Sequence, residues 1–206
     1  IAVNTTTAGT QGNSVLSMNR ATGEFVVAWE GQGTGDAAGI FFRRYSADGT
    51  ALDATERLGN LTDSGTEQNA SVAMDTSGRF VISYDVGNFL YFQRFDAGGG
   101  AQGGRVQVDN ALAHSTGAAI AMDDAGNFTL VYREQMTLPG IWGRGFLADG
   151  TQRYTWFNAA SGDASSPSIS MAGDGSFLLT YQKSGSSGID IYAREYNANG
   201  SAAGAA

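Results

Sequence analysis

One pattern occurs four times along the chain, and this repetition constrains the fold more than any other feature. The stretches "IFFRRYSADG", "LYFQRFDAGG", "IWGRGFLADG" and "IYAREYNANG" follow one another at spacings of 50, 51 and 50 residues, beginning at Ile40, Leu90, Ile141 and Ile191. A second block precedes each stretch and is anchored by one methionine per copy, at Met18, Met74, Met122 and Met171. Because two blocks recur in the same order, the sequence predicts four copies of one supersecondary unit.

Each copy divides into four short strands. A strand that ends at the methionine is followed by a glycine turn, and the next strand alternates apolar side chains on both faces, as in Phe25, Val27 and Trp29. The third strand stops at a glycine, and a weaker fourth strand ends in asparagine, at Asn60, Asn110 and Asn158. The chain has 30 Gly and no sustained helical period. The sequence therefore predicts an all-β fold, a β-propeller of four four-stranded antiparallel blades.

We expect a single propeller domain over residues 1–206, with repeats at about 14–60, 70–110, 118–158 and 167–206. The last repeat has no asparagine-terminated strand, whereas the opening "IAVN" is such a strand with no repeat before it. Residues 1–4 are therefore expected to complete the last blade by pairing with Ile191–Tyr196, which closes the ring. Half of an eight-bladed ring and a slice of a longer array remain alternatives, so the chain is expected to be a monomer or a homodimer.

The repeat also carries a resemblance. The pattern G-x-F-x-[VIL]-x-[WY], followed by [IL]-[FYW]-x-[RQ]-x-[YF]-x-A-x-G and an asparagine-terminated strand, resembles repeats of very large bacterial surface and exported proteins. In those proteins such repeats accompany adhesin modules and hemolysin-type calcium repeats. The resemblance covers nearly the whole chain. It implies a secreted or cell-surface location and a role in adhesion or ligand binding, without a shared catalytic motif.

Composition excludes several classes of partner. Asp and Glu outnumber Lys and Arg 20 to 12, and this net charge of -8 argues against nucleic acid, which requires clustered positive charge. No run of 18 apolar residues is present, so no membrane-spanning helix is expected. The absence of Cys excludes disulfides and thiolate metal sites. Calcium motifs of the D-x-D-x-D-G and G-G-x-G-x-D types are also missing, so we predict no cofactor, with calcium as an alternative.

Several residue columns recur once per blade and are therefore expected to be structural. Three arginines that could suggest an acidic-sugar site are predicted to bond the backbone of a neighbouring blade, at Arg43, Arg144 and Arg194. The aromatic columns are expected to pack blade against blade, although Trp142, flanked by Gly143 and Gly145, stays a candidate for stacking on a sugar. The only histidine, His114, is expected to lie in an exposed loop.

The repeats differ most in the loops that follow the second strands. Divergent loops on a repeated frame commonly form binding surfaces, and the predicted binding residues here are Glu30, Asp85, Arg133, Trp142 and Gln182. The sequence favours a non-enzymatic binding or display module of an exported bacterial protein, one that recognises a carbohydrate or protein ligand.

Two alternatives belong to other functional classes. A glycan-active hydrolase would use Glu30 and Asp85, with carboxyl groups separated by about 5 Å or by roughly 6.5 to 9.5 Å. A structural, self-assembling spacer would have another copy of itself as its partner. No catalytic residue and no metal ligand is assigned under the first interpretation.

Overall fold

The computed structural model describes residues 2–60, 65–109 and 115–204. All regular secondary structure in these ranges is β-strand. Within them no helix is long and apolar enough to cross a membrane. The strands are β1 (Gly12–Met18), β2 (Phe25–Gly33), β3 (Asp36–Tyr45), β4 (Arg57–Leu58), β5 (Glu67–Met74), β6 (Phe80–Val86), β7 (Phe89–Phe95), β8 (Val106–Gln107), β9 (Ser115–Met122), β10 (Phe128–Glu134), β11 (Gly140–Phe146), β12 (Gln152–Ser161), β13 (Ala164–Met171), β14 (Phe177–Gly185) and β15 (Gly188–Tyr196).

These strands form four antiparallel sheets, which we call blades 1 to 4. Strands that follow one another in the sequence lie next to one another in the sheet. Blades 1, 2 and 3 have four strands each, β1 to β4, β5 to β8 and β9 to β12, and blade 4 has the three strands β13 to β15. The all-β propeller architecture predicted from the repeats is confirmed. Asn110 and His114 lie outside the described residues.

The turn between the first two strands of a blade depends on glycine. In blade 2, Gly78 has a φ of +80° and its N–H donates to the Asp75 carbonyl at 3.1 Å. The Asp75 carboxylate accepts the N–H groups of Ser77 and Arg79, each at 2.9 Å. Because glycine adopts this left-handed conformation without a Cβ clash, the chain can reverse within a few residues. The tight turn places β5 and β6 in register.

The hydrophobic core lies between the blades as three separate layers. In the first layer Val26, Ile40 and Phe42 of blade 1 pack against Met74 and Phe80 of blade 2. The second layer joins blade 2 to blade 3, and the third joins blade 3 to blade 4. Blades 2 and 3 therefore have one face toward the preceding blade and one face toward the following blade, and apolar side chains occupy both faces.

An aromatic side chain from one blade is inserted against two rings of the next blade at every layer. The Phe42 ring centroid lies 5.1 Å from that of Phe80 and 4.9 Å from that of Phe95. Between blades 3 and 4 the equivalent third-strand position is Gly143, and the ring comes from Phe157 on β12 instead. A Cβ on Gly143 would lie 2.2 Å from Phe157 Cζ. Because Gly143 has no side chain, the Phe157 ring from the neighbouring strand can occupy this space.

The arginine column is structural, as predicted. The Arg144 guanidinium donates to the Val108 carbonyl at 2.7 Å, and that of Arg194 donates to the Ala159 carbonyl at 3.4 Å. Each bond links one blade to the end of the preceding blade. Arg43 makes the same kind of bond, at 3.0 Å, to the carbonyl of Val3.

The predicted completion of the last blade by the N-terminal residues is wrong. Residues 2–4 are not part of a strand, and the Val3 carbonyl accepts bonds from Arg43 and Tyr45 on β3 of blade 1. Thr5 and Thr6 donate to the Glu56 carboxylate, which is also in blade 1. These bonds hold the segment on blade 1, while β15 stays apart from it: Ile191 is 70% exposed. Blade 4 has no fourth strand within the described residues.

Candidate functional site

Each first strand contains a β-bulge with left-handed backbone, five residues before its methionine. The four bulge residues have φ values of +49°, +55°, +62° and +53°, at Asn13, Asn69, Gly117 and Ser166. The pairing register of every first strand shifts at this place. Such backbone costs on the order of 1 kcal/mol or more for a residue other than glycine, and bulges of this kind are frequent next to functional sites.

The bulge of blade 2 brings two predicted site residues together. The Asn69 backbone N–H donates to Glu30 Oε1 at 2.6 Å, and the Asn69 side-chain amide donates to Asp85 Oδ2 at 2.8 Å. Two oxygens that bond one asparagine lie within roughly 10 Å of each other. This upper limit allows both of the carboxyl separations that glycoside hydrolases use, about 5 Å and roughly 6.5 to 9.5 Å. Asn13 donates to the other oxygen of Glu30 at 2.8 Å.

Asp85 is completely buried, and this changes its acidity. Burial raises the pKa of Asp85 to about 6, because a carboxylate loses its hydration there. The charges of Asp109 and Glu30 act in the same direction, and the hydrogen bonds from Asn69 and Gly117 act against it. Both bonds go to Oδ2, and Oδ1 has no hydrogen-bond partner among the described residues. Oδ1 is therefore the atom on which a proton can reside.

A third carboxyl group, Asp109, was missed by the sequence analysis. The repeat pattern makes Asn110 the equivalent of Asn60, whereas the hydrogen bonds of the structure make Asp109 its equivalent. Asn60 accepts the Ile40 N–H at 2.9 Å, and Asp109 accepts the Leu90 N–H at 3.2 Å. Burial raises the pKa of Asp109 too. A one-residue shift in the alignment would have revealed this acid beside Asp85.

Two cavities open near these acids. The first, of about 300 Å³, lies between blades 1 and 2 and is lined by Glu30, Asn13 and a second carboxyl group missed from sequence, Glu67. Glu67 is the first residue of β5 and is buried. Two carboxyl groups facing one cavity can supply and accept protons on a bound molecule.

The second cavity, of about 90 Å³, is aromatic. Asp109, Tyr132, Trp142 and Trp156 line it, and Trp156 is 47% exposed. The Trp142 indole N–H donates to the Leu138 carbonyl at 2.8 Å, which fixes the ring in the wall. Indole faces beside a carboxyl group are suited to binding a sugar ring, because stacking and hydrogen bonding act together.

The remaining predicted residues lie elsewhere. Arg133 forms an ion pair with Asp163, with 3.4 Å between Nη2 and Oδ1. Gln182 lies on β14, where it is paired with Ser165 and Ile191. The structure therefore joins Glu30 to Asp85, places Trp142 in the aromatic cavity, and leaves Arg133 and Gln182 without a described bond to the acids. Across the described ranges no three acidic or histidine side chains are grouped to hold a metal ion.

No protein-family model matches the chain, and no curated protein sequence matches it. Solved structures do match its fold. An α-L-arabinofuranosidase from Podospora anserina, in complex with cellotriose, superposes with a TM-score of 0.53 at 13% identity, over 98% of this chain and 70% of its own. A β-1,3-galactosidase of family GH43 gives 0.54 at 9% identity, over 91% of this chain and 43% of its own. A proposed exo-β-1,3-galactanase from Bifidobacterium bifidum gives 0.53 at 11%, with 94% and 70% covered.

These structures correct the functional prediction. The sequence favoured a non-enzymatic binding or display module, whereas the three similar folds belong to proteins named as glycan-cleaving enzymes. The likeness establishes the fold, and none of these three names agrees with the predicted display module. The β-propeller part of the sequence resemblance is confirmed.

Proposed function

We propose that this protein is a glycan-active hydrolase whose acid–base chemistry is carried by Glu30 and Asp85. The observation that carries the proposal is that Asn69 holds both carboxyl groups, while the pKa of Asp85 is raised to about 6. Glycoside hydrolases require one carboxyl group that keeps its proton and a second one nearby that acts as a base or nucleophile. Asp85 fits the first role, and Glu30, which lines the larger cavity, fits the second.

The bond pattern around Asp85 defines how the proton would be delivered. Oδ2 accepts the N–H groups of Asn69 and Gly117, so the proton resides on Oδ1 and passes from there to the glycosidic oxygen. Asp85 has no exposed surface, whereas Asn69 is exposed. A sugar would therefore reach Asp85 Oδ1 only when the side chains that cover it move. Glu30 would either attack the sugar or activate a water. The upper limit of roughly 10 Å between the Glu30 and Asp85 oxygens allows the shorter carboxyl separation of the first case and the longer one of the second.

The proposed substrate is a neutral polysaccharide. The net charge of -8 disfavours acidic sugars, and the cavity lined by Trp142 and Trp156 offers apolar faces for a neutral ring. The similar folds include an arabinofuranosidase and a galactosidase, which makes arabinose- and galactose-containing glycans the first to test.

Location and cofactor use are part of the same proposal. Polysaccharides of this kind are met outside the cell, which agrees with the secreted or cell-surface location implied by the repeat pattern. Carboxyl-mediated hydrolysis requires no bound metal, so we propose that the reaction proceeds without one.

The test is hydrolysis of arabinan, galactan and xylan, followed as the release of reducing sugar. The variants Asp85→Asn and Glu30→Gln are expected to lose at least about 100-fold in rate, because each removes a proton-transferring group. Asp190→Asn is the matched control, since Asp190 is an exposed carboxyl on β15. Circular dichroism establishes that each variant is folded. The proposal is overturned if the wild type cleaves none of the three glycans, or if both variants retain its rate.

A further inference from the structure

Arg44 on β3 and Arg94 on β7 hold equivalent positions in blades 1 and 2, and each guanidinium is anchored to the next blade in the same way. Nη1 of Arg44 donates to the Ala97 carbonyl, and Nη1 of Arg94 donates to the Ala148 carbonyl at 3.1 Å. The two blades therefore hold the opposite edge of the guanidinium, formed by Nε and Nη2, in the same orientation.

In blade 1 this edge binds a carboxylate of the chain itself. Arg44 Nε donates to Asp53 Oδ2 at 3.0 Å, and Arg44 Nη2 donates to Asp53 Oδ1 at 2.7 Å. A planar guanidinium that donates to both oxygens of one carboxylate makes the bidentate pair for which arginine is best suited. Asp53 is buried, so the pair is shielded from water.

Blade 2 has the same arginine edge without the carboxylate. Gly103 stands where blade 1 has Asp53, because each follows a residue whose N–H donates to the carbonyl of the arginine, at 2.8 Å in blade 2 and 2.9 Å in blade 1. Arg94 Nε is buried and has no hydrogen-bond partner among the described residues. A Cβ on Gly103 would lie 3.5 Å from Arg94 Nη2 and would meet no other atom within 4 Å beyond its chain neighbours. The space beside this edge can therefore take a carboxylate that the chain does not supply.

Arg94 also lines a cavity of about 320 Å³ between blades 2 and 3. Gln102, the residue before Gly103, lines it as well. Part of the wall is apolar, because Phe80, Phe95 and Met122 contribute to it. This volume is typical of sites for small organic molecules, and a few polar groups in an apolar wall fix the orientation of such ligands.

Other charged groups in this cavity restrict the charge of a ligand. Asp75 is paired with Arg79, with 2.7 Å between Oδ2 and Nε. Asp96 and Asp149 line the same cavity, and their carboxylates accept backbone N–H groups at 2.7 and 2.8 Å. Repulsion from these carboxylates grows with the negative charge of the ligand, so a monoanion is favoured over a dianion such as phosphate.

We infer that Arg94 binds the carboxylate of a small monoanionic ligand with an apolar body, in the cavity between blades 2 and 3. The two carboxylate oxygens accept Nε and Nη2, as those of Asp53 do at Arg44. Arg94 pairs with Val81, and Asp85 lies four residues further along β6, about 13 Å away at 3.3 Å per residue. The carboxylate site is therefore separate from the acid pair, and the inference is independent of the hydrolase proposal.

The test is isothermal titration calorimetry of the full chain with benzoate, which has one carboxylate on an apolar ring. We expect a Kd of about 1 mM or tighter at pH 7. Benzamide has nearly the same shape without the charge, and it should bind at least about 10-fold more weakly, because it cannot accept two hydrogen bonds from the guanidinium.

Gly103→Asp tests the site within the protein, because it restores the carboxylate that blade 1 has. Gly103 has a φ of +71°, a conformation that aspartate tolerates better than most residues. The affinity for benzoate should fall at least about 10-fold. Gly104→Asp is the matched control, since it adds the same charge at a position where a Cβ would meet nothing within 4 Å. It should change the affinity by less than about threefold. Circular dichroism establishes that both variants are folded.

NMR of the wild type follows Arg94 directly and does not depend on the folding of Gly103→Asp. The Nε–H signal of Arg94, assigned by its loss in Arg94→Lys, should shift with benzoate and stay in place with benzamide. The inference is overturned if about 10 mM benzoate gives no binding, if folded Gly103→Asp binds benzoate as well as the wild type, or if the Arg94 signal does not respond. Phosphate that binds more tightly than benzoate also overturns it.

Discussion

Blades 2 and 4 have the same repeat pattern but very different environments. Six of the seven residues of β6 in blade 2 are buried, whereas only two of the nine residues of β14 in blade 4 are buried and β15 is exposed along most of its length. Blade 2 has a neighbour on both faces, and blade 4 has one only on the side of blade 3. The comparison teaches that burial in this fold is set by position in the array, since each blade gains its core from its neighbours.

The largest expected effect comes from a ring within the layer between blades 2 and 3. Phe92 lies 5.0 Å from Phe128 and 4.8 Å from Phe146, and it is completely buried. Replacement of Phe92 by alanine should lower the free energy of unfolding by about 4 kcal/mol, through lost contacts and a cavity. Ile191→Ala in blade 4 should change it by less than about 0.5 kcal/mol. Urea unfolding measures both, and equal losses would show that the β15 face is covered.

The next effect is a dependence of stability on pH that arises from Asp85 in blade 2, at a position where blade 4 has a residue that does not titrate. The pKa of Asp85 is about 6 in the folded protein and 3.8 as the ordinary value, so the folded state binds the proton more tightly. The contribution of Asp85 to the free energy of unfolding is therefore fully present below pH 3.8. As pH rises through 6, this contribution falls by about 3 kcal/mol. Blade 4 has Gln182 at the equivalent position, which does not titrate.

Asp85→Asn should remove this dependence, and it provides the check on the pH prediction. Urea unfolding at pH 4 and pH 7 gives the measurement, with Asp190→Asn as the control that keeps the wild-type slope. The raised pKa would be contradicted if the difference in free energy of unfolding between the wild type and Asp85→Asn were the same at pH 4 and at pH 7.

The smallest effect concerns the N-terminal segment on blade 1. Burial alone would raise the pKa of Glu56, but hydrogen bonds from Thr5 and Thr6 outweigh it and lower this pKa to about 2. The stabilisation is therefore present above pH 4.5 and is lost as pH falls toward 2. Because the group is largely solvated, Glu56→Gln should cost at most about 1 kcal/mol.

Exchange at residues 2–6 is the sensitive measurement for Glu56→Gln. We expect faster exchange there and unchanged exchange in β6, because blade 2 does not contact this segment through Glu56. Unaltered exchange at residues 2–6 would mean that the bonds from Arg43 and Tyr45 to Val3 hold the segment without Glu56.

Much of this structure could be predicted because the repeat specifies local pairing. Glycines such as Gly78 and alternating apolar strands define each blade without reference to the rest of the chain. The grouping of the opening "IAVN" with the fourth strands was wrong, because residues 2–4 are not part of a strand and share with the fourth strands only a bond from an arginine, here Arg43 to Val3. The absence of pairing with β15 could not be foreseen, because it depends on how the first and last blades lie relative to each other.

The candidate site was predictable only in part. Glu30 and Asp85 hold equivalent positions in two repeats, directly before the variable loops, and this predicted that they lie on one face. Their shared partner Asn69 gave no signal in the hydrophobic pattern, although Asn, Asn, Gly and Ser at the four bulges are residue types that tolerate left-handed backbone. Asp109 was hidden by an alignment one residue out of step.

In blade 3 the third strand has Gly143 where blades 1 and 2 have a ring, and Phe157 of the fourth strand fills the space. This arrangement has a consequence for how strands can be exchanged between the repeats. In two layers the inserted ring belongs to the third strand, and in the last it belongs to the fourth, opposite a glycine that leaves the space empty. Neither change is viable alone, since one leaves a hole and the other places two rings in one volume. The third and fourth strands of blade 3 would therefore have to be exchanged together. A recombination event that joins β11 to the fourth strand of another blade would break the core, and one that cuts at the preceding loop would preserve it.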